Sequence, residues 1–323
     1  MQFRTQIQIE PSPLRLTHSN RVMMIGSCFS EHIAERMVCA GFHVANNPFG
    51  ILFNPASIVA TIERLASGKF YTIDDLLNNN DRWFSYDFHG DFAARSAESA
   101  LTKMNRAVEQ GAEALAAADC VVLTLGTSWI YRLRTGGVVA NCHKMSAQLF
   151  ERELLSVEQI VALLDGVIDK YLKNKWVVLS ISPVRHIADG LDQNSLSKAI
   201  LRVAVEQLVR KRTEVSYFPS FEIMNDDLRD YRFYERDMVH PSSVAIDYIW
   251  ECWRAWTIDP QAEPAMREAE RVWTAAKHRP SEPDSQAHRE FCEKMLERID
   301  RLVVSYPATD WQRVRTFFAM AVK

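Results

Sequence analysis

A serine and a cysteine stand side by side at the end of the first strongly apolar run of the chain. Residues 22–25 predict a buried strand, which Gly26 ends just before Ser27 and Cys28. An apolar residue then recurs every four positions from Phe29 onward, which predicts a helix. The pair therefore lies at a strand-to-helix turn, where unpaired amides and the helix dipole favour negative charge. A nucleophile there can attack a carbonyl carbon while the amides hold the oxyanion. The structural alternative is that Ser27 caps the helix.

An aspartate and a histidine far along the chain have the residue types that such a nucleophile needs. Asp237 and His240 are three residues apart in a polar loop, so one turn can bring both side chains together. We expect His240 to act as the general base, and Asp237 to orient its imidazole. Cys28 is a rival nucleophile, because a thiolate is more reactive than a hydroxyl. Adjacent side chains point apart, so only one of the two can face His240, and we favour Ser27.

Five apolar runs predict the strands that would gather these residues. They cover residues 20–25, 42–45, 120–125, 176–181 and 214–218. Helical patterns alternate with them at residues 30–40, from residue 55, and at residues 97–118, 156–171, 195–212 and 244–256. This alternation predicts a parallel, doubly wound α/β sheet. In the helix over residues 195–212 we expect these side chains to face inward: Leu196, Ile200, Val203, Ala204 and Leu208.

Polar residues follow every predicted strand, at the edge where ligands of such sheets bind. Besides Ser27, these residues are Asn46, Asn47, Thr127, Ser128, Arg185, His186, Asp237 and His240. Five polar clusters on one edge favour catalysis over capping at Ser27.

Further polar groups are candidates for holding a substrate. We expect contacts to its acid or hydroxyl groups from Asn47, His143, Arg185 and His186. A structural hydrogen-bond network is the alternative for the last three. Ser27 and Gly50 are candidate oxyanion donors. Gly50 allows a close backbone approach, with a plain turn as its alternative.

Three segments fall outside the alternating pattern. Residues 67–97 are rich in aromatic side chains and predict a hairpin or lid over one end of the sheet. A glycine pair between apolar flanks predicts a second hairpin at residues 130–140. The charged tail after residue 258 predicts two helices, near residues 262–277 and 286–304, with Pro280 and Pro283 between them.

Composition is that of an ordinary globular chain. The 323 residues include 38 basic and 41 acidic side chains, for a net charge of −3. This balance does not favour a nucleic acid or an anionic membrane as partner. The six cysteines form no CxxC pair, no apolar run reaches the length of a membrane span, and residues 1–10 predict an edge strand instead of a signal peptide. We expect a soluble cytoplasmic protein.

Six short motifs resemble those of the GSCFA domain family, a branch of the SGNH (GDSL-like) hydrolases. They are residues 26–30 (GSCFS), 47–50 (NPFG), 124–129 (TLGTSW), 141–144 (NCHK), 182–186 (SPVRH) and 226–234 (DDLRDYRFY). The resemblance spans roughly residues 20–255 and is specific as a set. It implies a flavodoxin-like three-layer α/β/α sandwich around a five-stranded parallel sheet, with a Ser-His-Asp site. The hydrolase domain would cover residues 1–258, and residues 259–323 would be a helical extension.

Two departures from the wider SGNH pattern concern the site. The Asp that usually follows the first-motif glycine is absent, since Ser27 comes directly after Gly26. The third motif lacks its usual oxyanion-hole Asn, and Thr127, Ser128 or an Asn of the 46–47 pair would replace it.

These residues predict an esterase that removes a short acyl group, such as acetyl, from a small-molecule or carbohydrate hydroxyl. Ser27 would form an acyl-enzyme, which water activated by His240 would release. An O-acyltransferase with the same triad is the second enzymatic interpretation. A non-catalytic binding module is the alternative that the missing third-motif Asn favours. We expect no metal and no cofactor.

Overall fold

The structure, a computed structural model, describes residues 5–278, 282 and 285–322. Its strands are β1 (Arg21–Gly26), β2 (His43–Asn46), β3 (Leu77–Asn79), β4 (Arg82–Phe84), β5 (Cys120–Leu125), β6 (Trp129–Leu133), β7 (Val138–Val139), β8 (Phe150–Leu154), β9 (Trp176–Ile181) and β10 (Val215–Phe218). Its α-helices are α1 (Cys28–Cys39), α2 (Pro55–Ser67), α3 (Ala97–Ala117), α4 (Val157–Tyr171), α5 (Leu191–Lys211), α6 (Ser220–Glu222), α7 (Ser243–Thr257), α8 (Glu263–Lys277), α9 (Gln286–Ser305) and α10 (Gln312–Val322).

A five-stranded parallel sheet forms the centre, in the order β10-β9-β5-β1-β2. Its register places Gly26 opposite Thr124, and Thr124 opposite Ser180. Because all five strands are parallel, their carboxyl ends share one edge, where β1 leads directly into α1. The predicted three-layer sandwich is confirmed.

Alternate residues of β1 serve two different cores, which is why the strand reads as one apolar run. Met23 and Ile25 pack with α2, α3, α4 and α5 on one face of the sheet. Val22 and Met24 pack with α1 and α7 on the other face. The β1–α1 turn is thus anchored on both sides.

Gly26 is the point where β1 approaches β5 too closely for a side chain. A Cβ there would lie 2.5 Å from the Thr124 carbonyl oxygen and 2.7 Å from the Thr124 Cβ. Since this backbone is central in the sheet, we expect Gly26→Ala to lower the free energy of unfolding by about 1–3 kcal/mol, measured by urea denaturation. Gly166→Ala is the control: nothing lies within 4 Å of its added methyl, and helix propensity should raise stability by about 0.5–1 kcal/mol. Equal stability of Gly26→Ala and wild type would contradict this packing.

The aromatic segment contains the predicted hairpin. Strands β3 and β4 pair antiparallel around Asn80 and Asp81, whose φ angles of 50° and 58° suit a tight hairpin turn. The hairpin predicted at residues 130–140 is present as β6 and β7, but β8 joins it as a third strand that we did not predict. Strand β8 was missed because its central residues 151–153 are charged and only its first residue, Phe150, is buried, so it lacks an apolar run.

The two ends of the chain correct the sequence-based description. Residues 5–10 form no strand; instead the Ile7 amide donates to Asp227 Oδ1 at 2.8 Å. The tail has three helices instead of two, since α10 closes a small core of its own with α8 and α9. Pro280 and Pro283 lie outside the described residues. Among the helices described, none has the length and apolar character needed to cross a membrane.

Candidate active site

Ser27 occupies the N-cap position of α1 without capping it. Its backbone is extended, and the hydroxyl makes no capping bond. The hydroxyl instead donates to Ser182 Oγ, 2.9 Å away in the segment after β9. Ser27 is only 3% exposed, and its amide donates to the Thr124 carbonyl at 3.3 Å, so this amide is not free for the oxyanion role expected of Ser27. The capping alternative therefore does not describe this serine, whose proton points into the protein.

Asp237 and His240 form the expected pair on the loop before α7. Asp237 Oδ2 lies 2.6 Å from His240 Nδ1, while Asp237 Oδ1 accepts the amides of Val239 and His240 at 2.9 and 3.0 Å. These hydrogen bonds lower the pKa of Asp237 to about 2, although the carboxylate is exposed. Because the carboxylate engages Nδ1, His240 Nε2 is the nitrogen that can take a proton.

His240 lines a surface cavity of about 580 Å³ that we call the α1 cleft. The cleft is also lined by Cys28, His32, Glu35, Arg36, Cys39, Glu235, Pro241, Ser243, Ile246, Asp247, Trp250, Glu270 and Lys277. Cys28 is the first residue of α1 and is partly exposed. Ser27 is not among the residues that line the cleft. Of the two rival nucleophiles, the structure therefore brings Cys28 into the cavity that contains His240.

Arg185 packs against the segment that carries Asp237 and His240. Its guanidinium lies over the Tyr234 ring, 4.1 Å from the centroid, and 5.1 Å from that of Tyr231. Its amide donates to the Val239 carbonyl at 3.2 Å. These contacts match the structural alternative for Arg185, which holds the segment that carries His240.

The two histidines expected at the substrate differ in their surroundings. His143 Nε2 binds the carbonyls of Ser85 and Phe88 at 2.9 and 3.0 Å, so it fixes the aromatic segment, again as in the structural alternative. His186 Nε2 is buried without a hydrogen-bond partner among the described residues. Burial, assisted by the charge of Lys198, lowers the pKa of His186 to about 4 and keeps it neutral. His186 thus retains an uncommitted polar atom.

Asn47 and Gly50 build the turn after β2. Asn47 has a φ of 43°, and its Oδ1 accepts the Gly26 amide at 2.8 Å while its Nδ2 donates to Glu31. The Gly50 amide donates to the Asn47 carbonyl at 2.8 Å. The Asn47 side chain therefore positions the β1–α1 turn. Gly50 matches the plain-turn alternative, because its N–H is already engaged and cannot serve as the expected oxyanion donor.

Thr127 and Ser128 are likewise engaged within the protein. Ser197 Oγ lies 2.9 Å from Thr127 Oγ1 and 3.0 Å from Ser128 Oγ, and it accepts the Ser128 amide at 2.8 Å. These bonds tie the turn after β5 to α5. The expectation that Thr127 or Ser128 replaces the missing oxyanion-hole Asn is not supported, since their donors are already used.

Family models account for most of the chain. Residues 21–253 match the GSCFA family. The chain belongs to the GSCFA family. Residues 269–322 match a second model, described as the GSCFA domain protein, C-terminal domain, and they cover most of α8, α9 and α10. No curated protein matches the chain.

The site of this GSCFA chain also contains residues that sequence reasoning missed. Helix α5 buries Asn194, Ser197 and Lys198, whereas Leu196 and Val203, expected inside, are 45% and 49% exposed. The inward face predicted for residues 195–212 was therefore wrong at Leu196 and Val203. Extending the spacing of the buried residues Leu201, Ala204, Val205 and Leu208 backward would have led to these polar positions.

Proposed function

We propose that this GSCFA chain hydrolyses short acyl esters through a covalent acyl-enzyme formed at the β1–α1 turn. The observation that carries the proposal is the Asp237–His240 pair, joined at 2.6 Å, whose histidine lines the same cleft as the partly exposed Cys28. A carboxylate, an imidazole and a nucleophile in that order are the parts of acyl-transfer catalysis.

Cys28 is the nucleophile that this geometry supports best. Cys28 is partly exposed and lines the cleft, whereas the Ser27 hydroxyl is buried and already donates to Ser182. Burial raises the pKa of the Cys28 thiol, which makes a neighbouring base necessary at neutral pH. Attack by Ser27 remains our sequence-based prediction, and it would first require the hydroxyl to turn away from Ser182.

In the proposed reaction, His240 Nε2 takes the thiol proton as the sulfur of Cys28 attacks the acyl carbon. The imidazolium, stabilised by Asp237, then gives this proton to the departing alcohol. Water, deprotonated by His240, attacks the thioester carbon and the carboxylic acid is released. The leaving sulfur of Cys28 then takes the proton back from His240. The amides of Cys28 and Phe29, at the start of α1, are the oxyanion donors we propose, since first-turn amides lack a partner four residues earlier and the Ser30 amide already donates to the Ser27 carbonyl at 2.8 Å.

The polar lining of the cleft supports a hydrophilic alcohol, such as a carbohydrate hydroxyl, as the leaving group. Glu35, Arg36, Asp247, Glu270 and Lys277 all contribute to it. An O-acyltransferase would use the same residues with a second alcohol in place of water. We also propose a cytoplasmic location, because all six cysteines lie in the described residues and none forms a disulfide.

The test is to trap the acyl group. Incubation with p-nitrophenyl acetate, an acid quench and trypsin digestion should place an acetyl group on residues 22–36, a peptide that carries both Ser27 and Cys28. Neutral hydroxylamine should remove it rapidly, as expected for a thioester. A hydroxylamine-resistant adduct on Ser27 would instead support an oxygen ester there. Folded protein that releases no p-nitrophenol and carries no adduct would favour the binding-module alternative.

A further inference from the structure

Lys198 is a buried cation directly behind the nucleophile turn. It is 2% exposed on α5, and its Nζ donates to the Ser182 carbonyl at 2.7 Å. No carboxylate among the described residues forms an ion pair with it. A buried ammonium without a counter-charge is costly, so a functional reason for this lysine is expected.

Ser182 joins this ammonium to the β1–α1 turn. Its carbonyl binds Lys198, and its hydroxyl accepts the bond from Ser27 at 2.9 Å. The residue after Ser27 is Cys28, which is partly exposed and lines the α1 cleft. The chain Lys198–Ser182–Ser27 therefore fixes the turn from inside while Cys28 faces outward.

The charge of Lys198 acts on two titratable groups. Burial raises the pKa of Cys28, and the charge of Lys198 opposes this rise. Burial lowers the pKa of His186, and the same charge adds to that lowering. Burial in turn lowers the pKa of Lys198 to about 7, while a Cys28 thiolate raises it. The charge of Glu31 has the opposite effect and raises the pKa of Cys28. His240 and His32 share the cleft with the thiol.

We propose that Lys198 is a positioning residue that supplies the counter-charge for a Cys28 thiolate and orders the turn through Ser182. The thiol proton goes to His240, and Lys198 takes no part in that transfer. The inference deepens the proposed function and rests on it for the use of the thiolate. Its test, however, measures the thiol itself and needs no ester substrate.

The experiment compares the pH dependence of Cys28 alkylation by iodoacetamide in wild type, Lys198→Met and Lys198→Gln, followed by peptide mapping. Both variants lack the charge, so we expect alkylation near pH 7 to slow by ~10-fold and the pH profile to move upward. Lys198→Gln keeps a donor for the Ser182 carbonyl. A wild-type profile in Lys198→Gln would mean that the hydrogen bond alone matters, which would overturn the role of the charge.

Lys175→Met is the matched control. Lys175 also donates to backbone carbonyls, those of Ala116 and Ala118, but it lies before β9, at the opposite edge of the sheet. We expect its alkylation profile to equal that of wild type; a shift as large as that of Lys198→Met would overturn the proposal. A shifted profile in Lys198→Met without ester turnover in wild type would support Lys198 but reject the proposed hydrolase.

Discussion

Replacing Cys28 with alanine should lower the hydrolysis of p-nitrophenyl acetate by at least ~10³-fold, because the thioester can no longer form. Ser27→Ala, at the neighbouring position, should stay within about tenfold of wild type. Its hydroxyl contributes one hydrogen bond, to Ser182, whose loss costs roughly 0.5–1.5 kcal/mol of stability. Steady-state kinetics and melting temperatures of the two variants provide the comparison.

Covalent labelling gives an independent measure of the same choice. Iodoacetamide at Cys28 should block turnover, and a fluorophosphonate probe should label wild type only if Ser27 is the nucleophile. The opposite kinetic result, with Ser27→Ala inactive and Cys28→Ala active, would reject Cys28 and restore the serine mechanism expected from sequence. Full activity in both variants would place the chemistry outside this turn.

His240→Ala should lower ester turnover by about 10³-fold while the melting temperature changes little. The reason for the difference is that the His240 and Asp237 side chains are 46% and 48% exposed, so they contribute little to packing. Asp237→Asn should also lose activity, because the amide cannot stabilise the imidazolium. Since the pKa of Asp237 is about 2, its carboxylate stays ionised above about pH 3. Its titration therefore should not appear in the pH–rate profile near neutrality.

A second histidine–aspartate pair offers the control for these variants. His43 Nδ1 lies 3.8 Å from Asp310 Oδ2, and its Nε2 binds the Ala308 carbonyl, in a contact with the C-terminal helices. His43→Ala should leave turnover unchanged. Loss of activity in His43→Ala, or a collapse of the melting temperature in His240→Ala, would mean that the effect at residue 240 is structural.

The role of Ser182 shows that a motif can be recognised in the sequence without revealing the contacts that it makes. Ser182 opens the motif at residues 182–186, and in the structure its two oxygens connect Ser27, before α1, with Lys198 of α5. Such a connection joins positions 155 and 16 residues apart. Local patterns contain no information about either distance.

The sequence by itself determined the five parallel strands, the helices that alternate with them, and the polar residues at their carboxyl ends. The reason is that the spacing of apolar residues shows which face of a helix or strand is buried, and that the carboxyl ends of parallel strands lie at one edge of their sheet. The sequence also identified Asp237 and His240 as a pair. Two residues three positions apart in one loop can make contact whatever the rest of the fold does.

Only the tertiary structure decided which of those polar residues remain available for chemistry. Gly50, Thr127 and Ser128 are engaged by donors or acceptors that folding brings to them, Ser27 turns inward, and Cys28 faces the cleft. The burial of Lys198 likewise follows from the packing of α5 on the sheet. The physical reason is that a hydrogen bond is satisfied by any suitable partner in space, and which partner arrives depends on the assembled layers.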